Sequence, residues 1–167
     1  VVAAEQPWYW RRPTLTWVSA NDAELVWETP DSELGAVRVR AGGKRWVVNE
    51  SVAGKVHRVR LTDLNPSTVH VYHLRGRSVP GESSGAFRTL PAPGDDVPLR
   101  FVILGDSGNG RSVTRHLVAR IGEFRPDVVL HVGDLAYERA TRASLYAQFY
   151  DPIAELASSV PVWVVPG

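Results

Sequence analysis

The sequence predicts a β-sandwich joined to the opening of an α/β domain. Three observations carry this expectation. Short runs of alternating polar and apolar residues fill positions 13 to 90. A Pro-rich stretch without periodicity follows, and from residue 99 apolar runs alternate with helical spacing. The expected division is a sandwich over 1–90, a linker over 91–98 and an α/β segment over 99–167.

Leu15-Thr16-Trp17-Val18 and Ala23-Glu24-Leu25-Val26-Trp27-Glu28 open the sandwich, their side chains pointing alternately inward and outward. Ala36-Val37-Arg38-Val39-Arg40, Arg45-Trp46-Val47-Val48 and Lys55-Val56-His57-Arg58-Val59-Arg60-Leu61 follow. Thr68-Val69-His70-Val71-Tyr72-His73-Leu74 and Ser84-Gly85-Ala86-Phe87-Arg88-Thr89 close it. Gly42-Gly43 and Asn65-Pro66-Ser67 stand at the breaks, where turn chemistry is needed. So many short strands in so short a stretch fit two facing sheets. Leu64-Asn65-Pro66-Ser67-Thr68-Val69-His70 resembles the E–F corner of fibronectin type III domains, with His70 where that family places a Tyr. His70 is therefore expected to be a packed structural residue, its imidazole replacing the usual hydroxyl-to-backbone bond.

Leu90-Pro91-Ala92-Pro93-Gly94-Asp95-Asp96-Val97-Pro98 has linker composition. Leu99-Arg100-Phe101-Val102-Ile103-Leu104 is nearly all apolar, as for a strand covered on both faces. Ser112 to Phe124 has helical spacing, with Val113, Leu117, Val118 and Ile121 on one stripe. Asp127-Val128-Val129-Leu130-His131-Val132 is a second buried strand, in which His131 is expected to be structural. A helical region from Arg142 to Ala157, interrupted or restarted at Pro152, leads to a third strand, Pro161-Val162-Trp163-Val164-Val165. This order opens a mainly parallel sheet whose last strand is expected to be an unprotected edge.

With 44% hydrophobic and 22% charged residues, the 167-residue chain has the composition of a folded globular protein. Its net charge of +1 provides no strong overall attraction for nucleic acid or an anionic membrane, and neither is expected as a partner. Without Cys it forms no disulfide and no thiolate metal site. No apolar run approaches the ~20 residues of a membrane span. The chain has no Met and begins Val1-Val2-Ala3-Ala4, which fits either a processed precursor or a piece of a longer protein.

The chemistry concentrates at two strand ends. Gly105-Asp106-Ser107-Gly108 follows the first α/β strand and Gly133-Asp134-Leu135-Ala136-Tyr137 the second. Open α/β sheets gather ligands at the carboxyl ends of their strands. Two carboxylates from neighbouring strands can hold a pair of cations there, one of them bridging. A single Asp in such a position could instead cap the following helix.

These two segments resemble the first two motifs of the metallophosphoesterase (calcineurin-like) superfamily, and specifically its purple acid phosphatase branch. Gly108 stands where most of the superfamily has a ligand His, and Tyr137 completes the branch's Gly-Asp-x-x-Tyr. A fibronectin-like domain ahead of a short linker is similar to the longer members of that branch. The resemblance implies that Asp106 binds a ferric ion, that Asp134 bridges two metals and that Tyr137 binds the ferric ion as phenolate. It implies a binuclear centre of Fe(III) with Zn, Mn or Fe as the divalent partner. The implied reaction is hydrolysis of phosphomonoesters, phosphorylated small molecules or peptides, by a metal-bound hydroxide, in a secreted or periplasmic protein. The family's later motifs, from Gly-Asn-His onward, would follow Gly167. The chain is accordingly expected to be an N-terminal fragment with no catalytic residue of its own and no significant activity alone.

Two other readings fit parts of the chain. Gly105-Asp106-Ser107 also resembles the opening of GDSL hydrolases, which would make Ser107 a nucleophile, although the second loop lacks that family's Asn. A fibronectin-like sandwich can also be a non-enzymatic binding module displaying some of Trp8, Tyr9, Trp10, Trp17, Trp27 and Trp46. Most of these aromatics are expected to lie in a core or between the domains.

Overall fold

A computed structural model describes residues 11–79, 83–108, 112–137, 139 and 141–165. Trp8, Tyr9 and Trp10 lie outside the described residues. The first half contains β1 (Thr14–Val18), β2 (Ala23–Glu33), β3 (Ala36–Ala41), β4 (Lys44–Asn49), β5 (Gly54–Leu61), β6 (Val69–Arg75) and β7 (Ser84–Arg88). They pair antiparallel in two sheets, ordered β1-β2-β5 and β4-β3-β6-β7. This is a fibronectin type III-like sandwich. The β3–β4 hairpin turns on Gly42 and Gly43, whose φ angles of 53° and 78° suit a two-residue turn that side chains resist.

Period-2 alternation decides what the sandwich buries. Leu15, Leu25, Trp27, Val37, Val39, Leu61, Tyr72 and Phe87 form its core. Full burial of each large apolar side chain is worth about 1.5–3 kcal/mol, so this core is the main stabilising term. His70 lies in the same layer, 1% exposed, stacked on Phe87. Its Nδ1 donates to the Thr68 carbonyl oxygen at 2.9 Å, the local backbone bond expected of it. Burial pushes the imidazole below its ordinary pKa, partly opposed by that hydrogen bond.

The second half contains β8 (Phe101–Leu104), α1 (Ser112–Phe124), β9 (Val128–His131), α2 (Arg142–Leu145), a π-helical turn (Tyr146–Tyr150), α3 (Asp151–Ala157) and β10 (Val162–Val164). The strands form a parallel sheet ordered β10-β9-β8. A second cluster of Val118, Ile121, Val129, Phe149, Ile153, Leu156, Ala157 and Val162 packs the helices onto one face of it. Pro152 occupies the first turn of α3 rather than ending the helical run. The preceding turn widens, and the Asp151 N–H bonds the Tyr146 carbonyl. That wider turn accommodates a ring that cannot donate and would crowd the carbonyl four residues earlier.

Three expectations need correction. β8 is not covered on both faces: Val102 and Leu104 pack on the helical side, while Phe101 and Ile103 are exposed at 50% and 65%. β8 is an edge strand and the helices cover one face only, whereas a continuous apolar run suggests two. On α1, Val113 and Leu117 face outward, and the inward stripe is Thr114, Val118 and Ile121. The buried arc is thus narrower and rotated, with Thr114 turned toward the loop after β8. Finally, β10 is an edge but not a bare one, because Trp163 stacks on Trp17 of β1 with ring centroids 5.4 Å apart.

That stacking belongs to a seam between the halves. Glu28 of β2 accepts a hydrogen bond from the Tyr146 hydroxyl at 2.6 Å and an ion pair from Arg142. The Tyr72 hydroxyl donates to the Ser158 carbonyl at 2.8 Å, and the Arg11 guanidinium lies 4.7 Å from the Tyr150 ring centre. Burial raises the phenol pKa of both Tyr72 and Tyr146, so both remain donors.

Candidate functional site

Asp106 and Asp134 follow β8 and β9 at the same end of the parallel sheet. Both adopt left-handed backbone conformations, with φ of 53° and 58°. L-residues other than Gly resist this region, Asp and Asn least, and such residues concentrate at functional sites. The conformation turns the chain sharply off the strand and brings each carboxylate to the sheet end.

The two loops are stitched together by backbone. Asp106 N–H donates to the Gly133 carbonyl at 3.3 Å, Gly108 N–H to the Asp134 carbonyl at 3.0 Å, and Tyr137 N–H to the Gly108 carbonyl at 3.2 Å. Gly108 is required by this approach. A Cβ there would lie 2.6 Å from Ala136 N, Asp134 O and the Leu135 carbonyl carbon, all backbone atoms that cannot yield. Its lack of a side chain lets the second loop close on the first, and the closed loop carries Tyr137 to Asp106. The Tyr137 hydroxyl donates to Asp106 Oδ1 at 3.1 Å. Gln148 Oε1, from the π-helical turn, accepts from the same Tyr137 N–H at 2.9 Å and supports the loop from behind.

Desolvation raises the Tyr137 phenol pKa, and the hydrogen bond and charge of Asp106 and then the charge of Asp134 raise it further. Both carboxylates also act on His131: burial lowers its pKa first, and the two negative charges oppose this. Asp106, Asp134 and Tyr137 therefore share one electrostatic neighbourhood. Three hard oxygen donors, two of them anionic, are a set that a hard cation prefers. The phenol at present donates to a carboxylate, and a bound cation would reverse the upward push on its pKa. The donor chemistry fits a metal.

Among the described residues neither Asp caps a helix: Asp106 accepts from Tyr137, and α2 is capped by Thr141, whose hydroxyl accepts from Ser144 N–H at 3.1 Å. Ser107 as nucleophile is likewise overturned. The residue is 5% exposed, with its hydroxyl 2.6 Å from His131 Nε2. His131 Nδ1 accepts from the Gly133 N–H at 3.3 Å, which puts the imidazole proton on Nε2. The imidazole thus donates to Ser107 and is no base for it. Residue spacing alone pointed to neither this link nor the Gln148 support, since both depend on which side chains the folded loops bring together.

Residues 99–167 match the model of the calcineurin-like phosphoesterase family. The chain is 32% identical over 162 residues to acid phosphatase type 7 of Danio rerio, an alignment covering 92% of this chain and 35% of that protein. It is 27% identical over 191 residues to probable inactive purple acid phosphatase 27 of Arabidopsis thaliana, covering 95% and 31% respectively. The chain thus spans about a third of the length of these curated relatives. The solved structure of PhoD aligns with 99% of this chain and 40% of its own at a TM-score of 0.69 and 17% identity, a shared fold. The chain is a homologue of the purple acid phosphatases, with residues 99–167 in the calcineurin-like phosphoesterase family.

Proposed function

We propose that this chain supplies the first cation-holding loops of a binuclear phosphoesterase that hydrolyses phosphomonoesters. Asp106 and Tyr137 hold a ferric ion, and Asp134 is shared with a divalent Zn, Mn or Fe. The observation that carries this reading is the Tyr137 hydroxyl resting on Asp106 at 3.1 Å, across two loops joined by backbone hydrogen bonds. Bound metals would neutralise phosphoryl oxygens and acidify a water. The chain's own residues pre-position that chemistry. Gly108 admits the second loop, Gln148 braces it, and the left-handed turns at Asp106 and Asp134 bring the carboxylates to the sheet end.

The substrates in this reading are phosphorylated small molecules or peptides, and the site of action is secreted or periplasmic. The domain division at 1–90, 91–98 and 99–167 is part of the proposal, supported by the two separate buried clusters. Among the described residues no group of three or more His, Cys, Asp and Glu could hold a metal. The 167 residues by themselves are therefore proposed to bind iron weakly and to turn over little substrate.

The test is iron loading followed by visible spectroscopy. A tyrosinate-to-iron charge-transfer band is expected, and Tyr137→Phe should abolish it while leaving the fold intact. A band unchanged in that variant, or no ferric uptake at all, would overturn the assignment. Phosphomonoester hydrolysis by the 167 residues at the rate of a complete phosphatase would overturn the expectation of low activity.

A further inference from the structure

The outer face of the β4-β3-β6-β7 sheet is a cationic platform. None of these four strands contains an Asp or Glu. Alternation sends Val37, Val39, Tyr72, Leu74 and Phe87 into the core and leaves Arg38, Arg40, Arg45, His73, Arg75 and Arg88 exposed. The register sets Arg40 opposite Arg45 and Arg38 opposite His73. A groove of about 510 Å³ runs between Arg38, Arg40, Arg45 and His73, over Trp46 and Val47.

The opposite sheet is built differently. There Arg58 pairs with Glu24 and Arg60 with Asp22. Among the described residues, Arg38, Arg40, Arg45, Arg75 and Arg88 join no ion pair. Like charges placed directly opposite each other cost a sheet stability. Among the described residues no acidic side chain pairs with cross-strand Arg40 and Arg45 to offset that cost. The net charge of +1 conceals this face, because it sums these arginines with acidic residues outside these strands, such as Asp22 and Glu24 on the opposite side.

We propose that this face binds a linear phosphate polymer without bases, as an accessory surface separate from the Asp106 loops. Guanidinium groups engage phosphate through paired N–H donors. Sites two residues apart along a strand are about 7 Å apart, and directly opposite residues are about 5 Å apart. Alternate phosphates of one extended chain can therefore meet successive arginines, because phosphorus atoms joined through a single bridging oxygen lie closer together than the arginines do. Bases would need stacking platforms, but Tyr72, Phe87 and His70 are buried and Trp46 is half-buried in a perpendicular contact with His70, which leaves His73 as the exposed ring of these strands. A membrane surface would call for large apolar anchors among the cations. Here the exposed apolar side chains are the short Val47 and Val69.

The test titrates the whole 167-residue chain with inorganic polyphosphate in EDTA, so that neither metal nor turnover contributes. Saturable binding is expected, weakening more than about tenfold between about 50 and 200 mM salt. Replacing Arg38, Arg40 and Arg45 together by Gln should weaken it at least about tenfold. A matched triple variant, Arg58→Gln, Arg60→Gln and Arg120→Gln, should leave it unchanged. Equal losses in the two variants, or no binding at low salt, would overturn the proposal. So would tighter binding of single-stranded oligonucleotide, heparin or phosphatidylglycerol vesicles than of polyphosphate. The outcome is independent of whether Asp106, Asp134 and Tyr137 hold metal.

Discussion

His131 Nε2 lies 2.6 Å from Ser107 Oγ, and the other nitrogen of the same ring accepts the Gly133 N–H, so one buried imidazole ties the loop of Asp106 to the loop of Asp134. Replacing it by Phe keeps an aromatic ring but leaves a buried hydroxyl and a buried N–H without partners. An unmet buried group costs about 1–3 kcal/mol. His131→Phe is expected to lower stability by roughly 2–4 kcal/mol in urea unfolding. Ser107→Ala, which removes one side of the link, should cost less than His131→Phe.

Gly108 offers a sharper test of the paired loops. Ala at this position places a Cβ 2.6 Å from three backbone atoms of the second loop. The loops must separate, so Gly108→Ala should destabilise the second half by more than about 2 kcal/mol. Thermal unfolding measures the loss. Loop separation also withdraws Tyr137 from Asp106, so ferric colour should fall with stability.

The seam between the halves rests on Glu28, a buried carboxylate that accepts from Tyr146 and Arg142. Tyr146→Phe removes a hydrogen bond to a charged acceptor, worth about 1.5–3 kcal/mol. Calorimetry is expected to show two separated unfolding transitions in this variant where the parent chain shows one.

Stability should also depend on pH through His70. Burial depresses its folded pKa below the ordinary value of about 6.5. The unfolded chain therefore binds the proton more readily, and stability declines as pH falls below about 6.5, levelling off once pH passes below the folded pKa. His70→Gln cannot titrate, and its unfolding free energy should vary less between about pH 6.5 and 5 than that of the parent. Equal slopes in the two proteins would exclude His70 as the source.

Much of the sandwich could be read from the chain because alternation is a local code. Arg38 and Arg40 point out and Val37 and Val39 point in for the same reason: successive strand residues face opposite sides. The basic face was present in the same pattern, but net charge, summed over every face, concealed it. The extent of α1 and the positions of Asp106 and Asp134 after their strands were also legible, since each rests on neighbours in sequence. The exposure of Phe101, Ile103, Val113 and Leu117 was not, because it depends on which layers cover the sheet and on the rotation of a helix against it.

By itself the sequence determined that two Gly-Asp turns end successive strands, and that Gly108 and Tyr137 occur with them. Only the tertiary structure decided why they belong together. Gly108 leaves room for the backbone of the second loop, that approach seats the Tyr137 hydroxyl on Asp106, and His131 joins the two loops from inside the sheet. Contacts between residues about thirty positions apart depend on strand pairing, a property of the folded sheet that no local run of residues contains.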